Sequence, residues 1–190
     1  HQAADMGFRI KLLGVSQMTS SGLEQRMSPC LVPTVSPLGQ LEGGTNMIVI
    51  EGDQVGQIVL RGAGAGEGPT ASAVISDVLD IARGISLATF GQPAKTLIKA
   101  SSSKSQTPAP YYLRMLLHDE PGALAKITKI LSQFNVSIDR MRQYGHEDEN
   151  APVLIVTHEI SHEDLMTAIK ELPNTKVLKA QPLAIRIEAV

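Results

Sequence analysis

The segment Leu117-His-Asp-Glu-Pro-Gly-Ala-Leu-Ala-Lys-Ile-Thr-Lys-Ile-Leu-Ser-Gln-Phe-Asn-Val-Ser-Ile138 decides the fold of the second half of this chain. It opens on the end of an apolar strand, and His118-Asp-Glu-Pro-Gly122 has the composition of a turn. Apolar residues then recur at helical spacing, at Leu124, Ile127, Ile130, Leu131 and Phe134. The pattern predicts a strand, a turn, an amphipathic helix of about three turns and the start of a second strand.

The rest of the second half completes a regular alternation of strands and helices. Apolar runs predict strands over residues 112–117, 137–144, 152–157 and 183–187, and apolar spacing predicts a second helix over 164–172. The charged residues 148–150 are predicted to form a turn. The resulting order is β-α-β-β-α-β, which is that of ferredoxin-like folds. A module of about 75 residues buries a limited share of its surface and often gains stability by pairing.

The first half is less regular. Residues 7–13 are predicted as a strand, and Pro29, Pro33 and Pro37 then interrupt a meandering segment with short extended pieces at Leu31, Val32 and Val35.

A predicted hairpin and helix follow this segment. Residues 46–50 and 57–60 are strand-like runs joined by Glu51-Gly-Asp-Gln-Val-Gly56, which favours an antiparallel hairpin. A glycine-rich loop leads from it into a helix with Pro69 in its first turn and Gly84 at its end. That helix places several apolar residues near one face, namely Val74, Val78, Leu79, Ile81 and Ala82.

Composition limits the classes of function. The net charge of -2 and the aromatic content of 3% disfavour a nucleic-acid partner. No apolar run approaches the roughly 18 residues of a membrane span, and the N-terminus lacks a signal-peptide pattern. The single cysteine, Cys30, is interpreted as a buried hydrophobe in a cytoplasmic protein. Because His1 stands in place of an initiating Met, we expect the chain to be part of a longer protein.

One histidine pair matches a metal-binding pattern. His158-Glu-Ile-Ser-His162 fits H-E-x-x-H, which in metalloproteases puts two zinc ligands on one helical face. Here residues 153–157 are predicted as a strand, and Ser161 followed by Asp164 has the form of a helix N-cap. The histidines therefore straddle a strand–helix junction, and we expect surface histidines and no metal site.

Gly62-Ala-Gly-Ala-Gly66 is a candidate ligand loop. No Gly-Lys-Ser/Thr follows it, so it is not a P-loop, and its spacing does not fit G-x-G-x-x-G. Backbone without side chains before a helix N-terminus can approach an anionic ligand closely. A tight connection for packing a helix on a sheet explains the same spacing.

The turn Asp119-Glu-Pro-Gly122 is a second candidate, because it precedes a helix whose first N–H groups lack partners. A small zwitterion could place its carboxylate there, with Asp119 or Asn135 holding its ammonium group. An acidic cap on the helix dipole is the simpler interpretation of these residues alone.

Both halves also resemble one family. The segment 117–138 resembles the opening of an ACT domain, a small-ligand module that regulates amino-acid enzymes. Arg61-Gly-Ala-Gly-Ala-Gly-Glu-Gly-Pro-Thr-Ala-Ser-Ala-Val-Ile-Ser-Asp-Val78 resembles the final motif of the homoserine dehydrogenase catalytic domain. Residues 7–13, 43–47 and 111–114 stand in the order that this family would give them. The chain as a whole therefore resembles the C-terminal part of an ACT-bearing homoserine dehydrogenase.

This resemblance implies an α+β fold in three parts. Residues 1–98 would be the remnant of an α/β catalytic sheet, 99–110 a linker, and 111–190 a ferredoxin-like βαββαβ ACT domain. The polar, Pro-bearing composition of residues 99–110 favours a linker independently.

The resemblance also implies an activity, which is the NADP- or NAD-dependent interconversion of L-aspartate 4-semialdehyde and L-homoserine. Proximity to the cofactor carries over to Gly64, Ala65 and Gly66. No catalytic residue is assigned, because the family's Rossmann domain and the segment with its catalytic lysine have no counterpart in these residues. We therefore expect the chain alone to be inactive.

The ACT half implies allosteric regulation by a small amino acid, with threonine expected, and a homo-oligomer formed through ACT pairing. The implied effector-binding residues are Asp119, Glu120, Pro121, Gly122, Ala123, Leu124, Asn135, Ser137 and Ile138.

Two other interpretations remain open. The chain could be a non-enzymatic amino-acid-binding ACT module of another biosynthetic enzyme. An aspartokinase or an acetolactate synthase regulatory subunit could also carry such a module, although the motif at residues 62–77 and the linker before Tyr111 argue against these two.

Overall fold

The computed structural model describes residues 2–144 and 150–189, so residues 148 and 149 of the predicted charged turn lie outside the described part. Two short 3-10 helices, Ala94–Thr96 and Leu172–Thr175, accompany the main elements. These are, in chain order, α1 (Gln2–Asp5), β1 (Phe8–Thr19), β2 (Gly22–Pro33), β3 (Thr45–Gly52), β4 (Gly56–Ala63), α2 (Glu67–Ala82), β5 (Tyr111–His118), α3 (Ala123–Gln133), β6 (Ile138–Gln143), β7 (Asn150–Thr157), α4 (His162–Glu171) and β8 (Leu183–Arg186).

The second half is a four-stranded antiparallel sheet in the order β6-β7-β5-β8, with α3 and α4 on one face. This confirms the predicted βαββαβ order and the ferredoxin-like fold. Strand residues alternate between faces, so Leu113 and Met115 of β5 pack against Ile127 of α3 and Leu165 of α4. Their burial forms the main core of the protein.

The first half contains a long hairpin that the sequence analysis described wrongly. β1 and β2 pair over their full 12-residue lengths, from Phe8 opposite Pro33 to Thr19 opposite Gly22. The predicted meander with pieces at Leu31 and Val32 is therefore one continuous strand. Pro29 removes a single N–H donor, and the pairs on either side of it hold the strand.

This hairpin covers the face of the four-stranded sheet that carries no helices. Phe8 of β1 and Leu31 of β2 pack against Tyr112, Leu154 and Val156, whose side chains point away from α3 and α4. Glu188 N, just after β8, donates to Leu31 O at 2.8 Å. The two halves are thus joined by a shared apolar layer and by backbone hydrogen bonds.

A buried ion cluster, defined as Glu24, Arg26, Arg186 and Glu188, lies along the same junction. Arg26 bonds Glu24 and places Nη2 2.5 Å from Glu188 Oε1, while Arg186 Nε donates to that same oxygen at 2.6 Å. Their side chains are 4–13% exposed. Charges this deep are tolerated because each has an opposite partner.

Residues 99–110 run along the edge of β2. Leu23 exchanges backbone hydrogen bonds with this segment, donating to Ser101 O at 2.7 Å and accepting from Ser103 N at 2.9 Å. Thr107 then donates to Glu24 Oε2 from its backbone N and its hydroxyl, at 2.9 and 2.7 Å. The segment therefore connects the ion cluster to the start of β5.

The β3–β4 hairpin and α2 confirm the predicted order of strand, glycine loop and helix, but they pack on almost nothing. α2 has 16 residues and none of them is buried. The apolar face predicted for it is present and uncovered, with Val78 52% and Ile81 76% exposed. An amphipathic helix gains most of its stability from packing, so this face is suited to contact with a further surface.

Candidate functional site

The glycine loop lies between β4 and α2. Gly66 has φ +127°, a conformation that a side chain rarely adopts, and it is the N-cap residue of α2. It supplies no side-chain cap, so the first N–H groups of α2 are open at an exposed surface. A Cβ at Gly64 would require the Asn46 side-chain amide to move, so this loop lies against the start of β3.

The ACT turn lies in the second half of the chain, between β5 and α3. Gly122 is in the left-handed conformation with φ +84° and caps α3, and Lys126 N donates to its carbonyl at 3.1 Å. Glu120 forms an exposed ion pair with Lys126 at 3.0 Å. The turn is accessible except for Ala123, which is buried in the core.

The other predicted effector residues lie at the far end of α3. Asn135 adopts φ +57°, one of two positive values among the described non-glycine residues, and its N donates to Ser132 O at 3.1 Å. Ser137 O accepts from His158 N at 2.9 Å. The 11 residues of α3 separate these groups from Gly122 by about 16 Å. One protomer therefore does not bring the two sets of predicted residues together.

The histidine pair lies where the sequence analysis placed it. Ser161 caps α4, with Asp164 N donating to its hydroxyl at 3.1 Å. His158 precedes this cap and His162 begins the helix, where its Nδ1 lies 3.3 Å from the Tyr111 hydroxyl. Within residues 2–144 and 150–189, no group of three or more potential metal ligands is present.

Sequence analysis missed the buried ion cluster. Arg26 and Glu188 are 162 positions apart, and neither stands in a motif. Burial of both depends on the fold that brings β2 beside β8, and no local pattern reports that approach. The same holds for Thr107, which lies 83 positions from its partner Glu24.

The βαββαβ fold with its Pro-Gly turn defines the second half as a module of the ACT type, and the ACT domain family matches residues 111–174. The homoserine dehydrogenase family matches residues 1–79. The chain as a whole is similar to the C-terminal region of homoserine dehydrogenases, including their ACT domain.

Curated relatives agree with this assignment over nearly the whole chain. A homoserine dehydrogenase of Neisseria gonorrhoeae is 36% identical over 196 residues, which covers 99% of this chain and 45% of the relative. One from Helicobacter pylori is 36% identical and covers 98% of this chain and 44% of the relative. The chain thus spans less than half the length of the relatives that it matches.

A solved structure supports the arrangement of both halves. The crystal structure of a homoserine dehydrogenase from Thiobacillus denitrificans superposes with a TM-score of 0.84 at 31% identity, covering 99% of this chain and 44% of that one. A homoserine dehydrogenase of Staphylococcus aureus shares the fold, with a TM-score of 0.63 at 22% identity. Among the described residues, no helix is long and apolar enough to cross a membrane.

Proposed function

We propose that this chain forms the C-terminal, regulatory part of a homoserine dehydrogenase that interconverts L-homoserine and L-aspartate 4-semialdehyde with NADP or NAD. The observation that carries the proposal is the agreement of both halves, in their relative placement, with the Thiobacillus denitrificans enzyme. The product would feed the synthesis of threonine and methionine. The single, buried thiol of Cys30 suits a reducing cytoplasm as the site of action.

The glycine loop is proposed to lie against the cofactor through Gly64, Ala65 and Gly66. When bound, the nicotinamide cofactor supplies or accepts the hydride. This chain would contribute open N–H groups at the start of α2 and a backbone surface without side chains, both of which suit a phosphate-bearing ligand. Glu67 in the first turn of α2 bears a like charge, so the closest approach is assigned to the glycines.

A chimera tests this proposal. We expect a protein in which this chain replaces the matching region of the Neisseria gonorrhoeae relative to oxidise NADPH when L-aspartate 4-semialdehyde is added. The chain alone should show no turnover, because the resemblance places the catalytic lysine outside it. Substituting Gly66→Val should lower the chimera's kcat/KM at least roughly tenfold, since valine disfavours φ +127°.

Gly84→Val is the matched control, because Gly84 also has a positive φ and follows the far end of α2, whose 16 residues place it about 24 Å from Gly66. A folded chimera without turnover would contradict the assignment of activity. A Gly66→Val chimera as active as the Gly84→Val chimera would contradict the placement of the cofactor.

The ACT half is proposed to bind an amino-acid effector, with threonine the expected one. Because Gly122 and Asn135 stand at opposite ends of α3, about 16 Å apart, one small amino acid does not contact both in a single protomer. Two copies that place the β5–α3 turn of one beside Asn135 of the other would complete the site. We therefore propose a homo-oligomer paired through its ACT domains, with β6 as the available sheet edge, because β2 lies beside the end of β8.

Threonine binding should depend on the Asn135 amide. By titration calorimetry, Asn135→Gly is expected to weaken threonine binding roughly tenfold, because it removes the amide and keeps a residue suited to φ +57°. Lys176→Gly, at φ +59°, controls for the backbone change. Light scattering of the same samples reports pairing. Absence of threonine binding to the paired protein, or equal binding by both variants, would contradict the site.

A non-enzymatic amino-acid sensor is the second candidate. The ACT half has its own buried core, whereas α2 of the first half has no buried residue. This difference favours a sensor, because the ACT half alone forms a well-packed unit. Threonine binding by a chimera without turnover would support the sensor over the enzyme.

A further inference from the structure

A cavity of about 370 Å³ lies between the β1–β2 hairpin and the helix-free face of the ACT sheet. Three strands line it, namely β1 through Ile10, β5 through Tyr112 and Arg114, and β8 through Leu183 and Ile185. Gln2 and Ala3 of α1 close one side. Cavities of this size bind small molecules when apolar walls surround a few polar groups. The effector turn lies elsewhere, since Asp119 is five residues further along the chain than Arg114, about 17 Å of extended strand.

The polar groups of the cavity have no partners among the described residues. Arg114 is exposed and forms no ion pair there, although it is the only cationic side chain in the wall. Tyr112 is 3% exposed, and no hydrogen bond is made by its hydroxyl within the same residues. Burial is the main cause of the raised pKa of Tyr112, so its hydroxyl stays protonated and able to donate.

The apolar side chains of the cavity wall are partly exposed to solvent. Ile10 is 58% and Leu183 42% exposed, although both border the buried cluster around Tyr112. A branched aliphatic group placed between them and Ile185 would remove this apolar surface from water.

The charge of the wall selects among ligands. No carboxylate is part of it. The Asp5 carboxylate acts electrostatically on Tyr112 but is not part of the wall, and it accepts a hydrogen bond from the Tyr144 hydroxyl at 2.7 Å. An ammonium group in the cavity would therefore face the like charge of Arg114 with no carboxylate in the wall to pair with it. This favours a simple monocarboxylate over a zwitterionic amino acid.

We propose that this cavity is a second small-molecule site, which binds a monocarboxylate with a branched aliphatic tail. The Arg114 guanidinium would hold the carboxylate, the Tyr112 hydroxyl would donate to it, and the tail would lie against Ile10, Leu183 and Ile185. The site is independent of the proposed amino-acid effector site and does not depend on the dehydrogenase activity.

The test is a titration of the whole chain with 4-methylpentanoate, followed by amide chemical shifts in NMR spectra. Saturable shifts are expected for residues of β5 and β8 that line the cavity. Leucine adds an ammonium group to this molecule, and 4-methylpentan-1-ol replaces its carboxylate with an uncharged hydroxyl. Each should bind at least roughly tenfold more weakly.

Variants identify the groups responsible. Arg114→Gln should weaken 4-methylpentanoate binding roughly tenfold or more, and Tyr112→Phe should weaken it by a smaller factor. Arg140→Gln is the control, because Arg140 lies on the same face but over the Phe8 ring, 5.2 Å from its centre. Unchanged circular dichroism verifies folding. Absence of saturable shifts, equal binding of leucine, or equal loss in Arg140→Gln would each overturn the proposal.

Discussion

Replacing Glu24 with glutamine is expected to lower the free energy of unfolding by about 3–5 kcal/mol, because it removes one charge of a buried, paired set. Glu24 is 5% exposed and bonds Arg26 on one side and Thr107 on the other. Its loss leaves Glu188 as the one carboxylate facing Arg26 and Arg186. Chemical denaturation of wild type and variant measures the change.

Glu42→Gln is the matched control for this measurement. Glu42 also pairs with an arginine, Arg9, at 2.8 Å, but its side chain is 74% exposed. Surface pairs of this kind contribute about 0–1 kcal/mol. A similar change in the two variants would contradict the structural role of the buried ion cluster.

The same carboxylate predicts a pH dependence of stability. Burial alone would raise the pKa of Glu24, but the hydrogen bonds from Thr107 and the charge of Arg26 outweigh it and lower that pKa below its usual 4.5. The unfolded chain therefore binds this proton more readily than the folded one. Its contribution is full above the unfolded-state pKa and is lost as the pH falls through the lower, folded-state value. Glu24→Gln should lack this component.

The β5–α3 segment could be predicted from sequence because its signals are local. Apolar spacing predicted α3, the Pro-Gly turn predicted where α3 begins, and Ser161 with Asp164 predicted the N-cap of α4. β2 could not be predicted in the same way. Its prolines indicate interruption locally, whereas pairing with β1 over its whole length keeps the strand continuous. Cross-strand pairing is a tertiary effect, which local propensity does not report.

The candidate sites also differ in whether local sequence signals or tertiary packing determine them. Sequence placed Gly66 before a helix and Gly122 in a turn, and both adopt the positive φ values that only glycine takes easily. The separation of Gly122 from Asn135 follows from the helix between them. The cavity around Tyr112 and Arg114 depends on the hairpin from the other half lying on the sheet, so alternation within β5 alone does not reveal it.

Truncating Ile127 to alanine is expected to destabilise the protein by about 2–5 kcal/mol, while the same change at Ile81 should have almost no effect. Ile127 on α3 is 0% exposed and belongs to the main core, together with residues of the sheet and of α4. Its loss leaves a cavity among close-packed side chains. Ile81 on α2 is 76% exposed, so truncation there removes no buried contact. Thermal and chemical denaturation of both variants give the comparison.

Comparing Ile127→Ala with Ile81→Ala distinguishes a buried helix, α3, from an exposed one, α2. Periodicity alone predicts an apolar face on both helices. Ile81→Ala should stay within about 0.5 kcal/mol of wild type at any protein concentration if α2 is as uncovered in solution as it is here. A larger cost that grows with concentration would mean that α2 is buried against a second copy, since association stabilises by mass action. A small cost at Ile127 would instead contradict the packing of α3 on the ACT sheet.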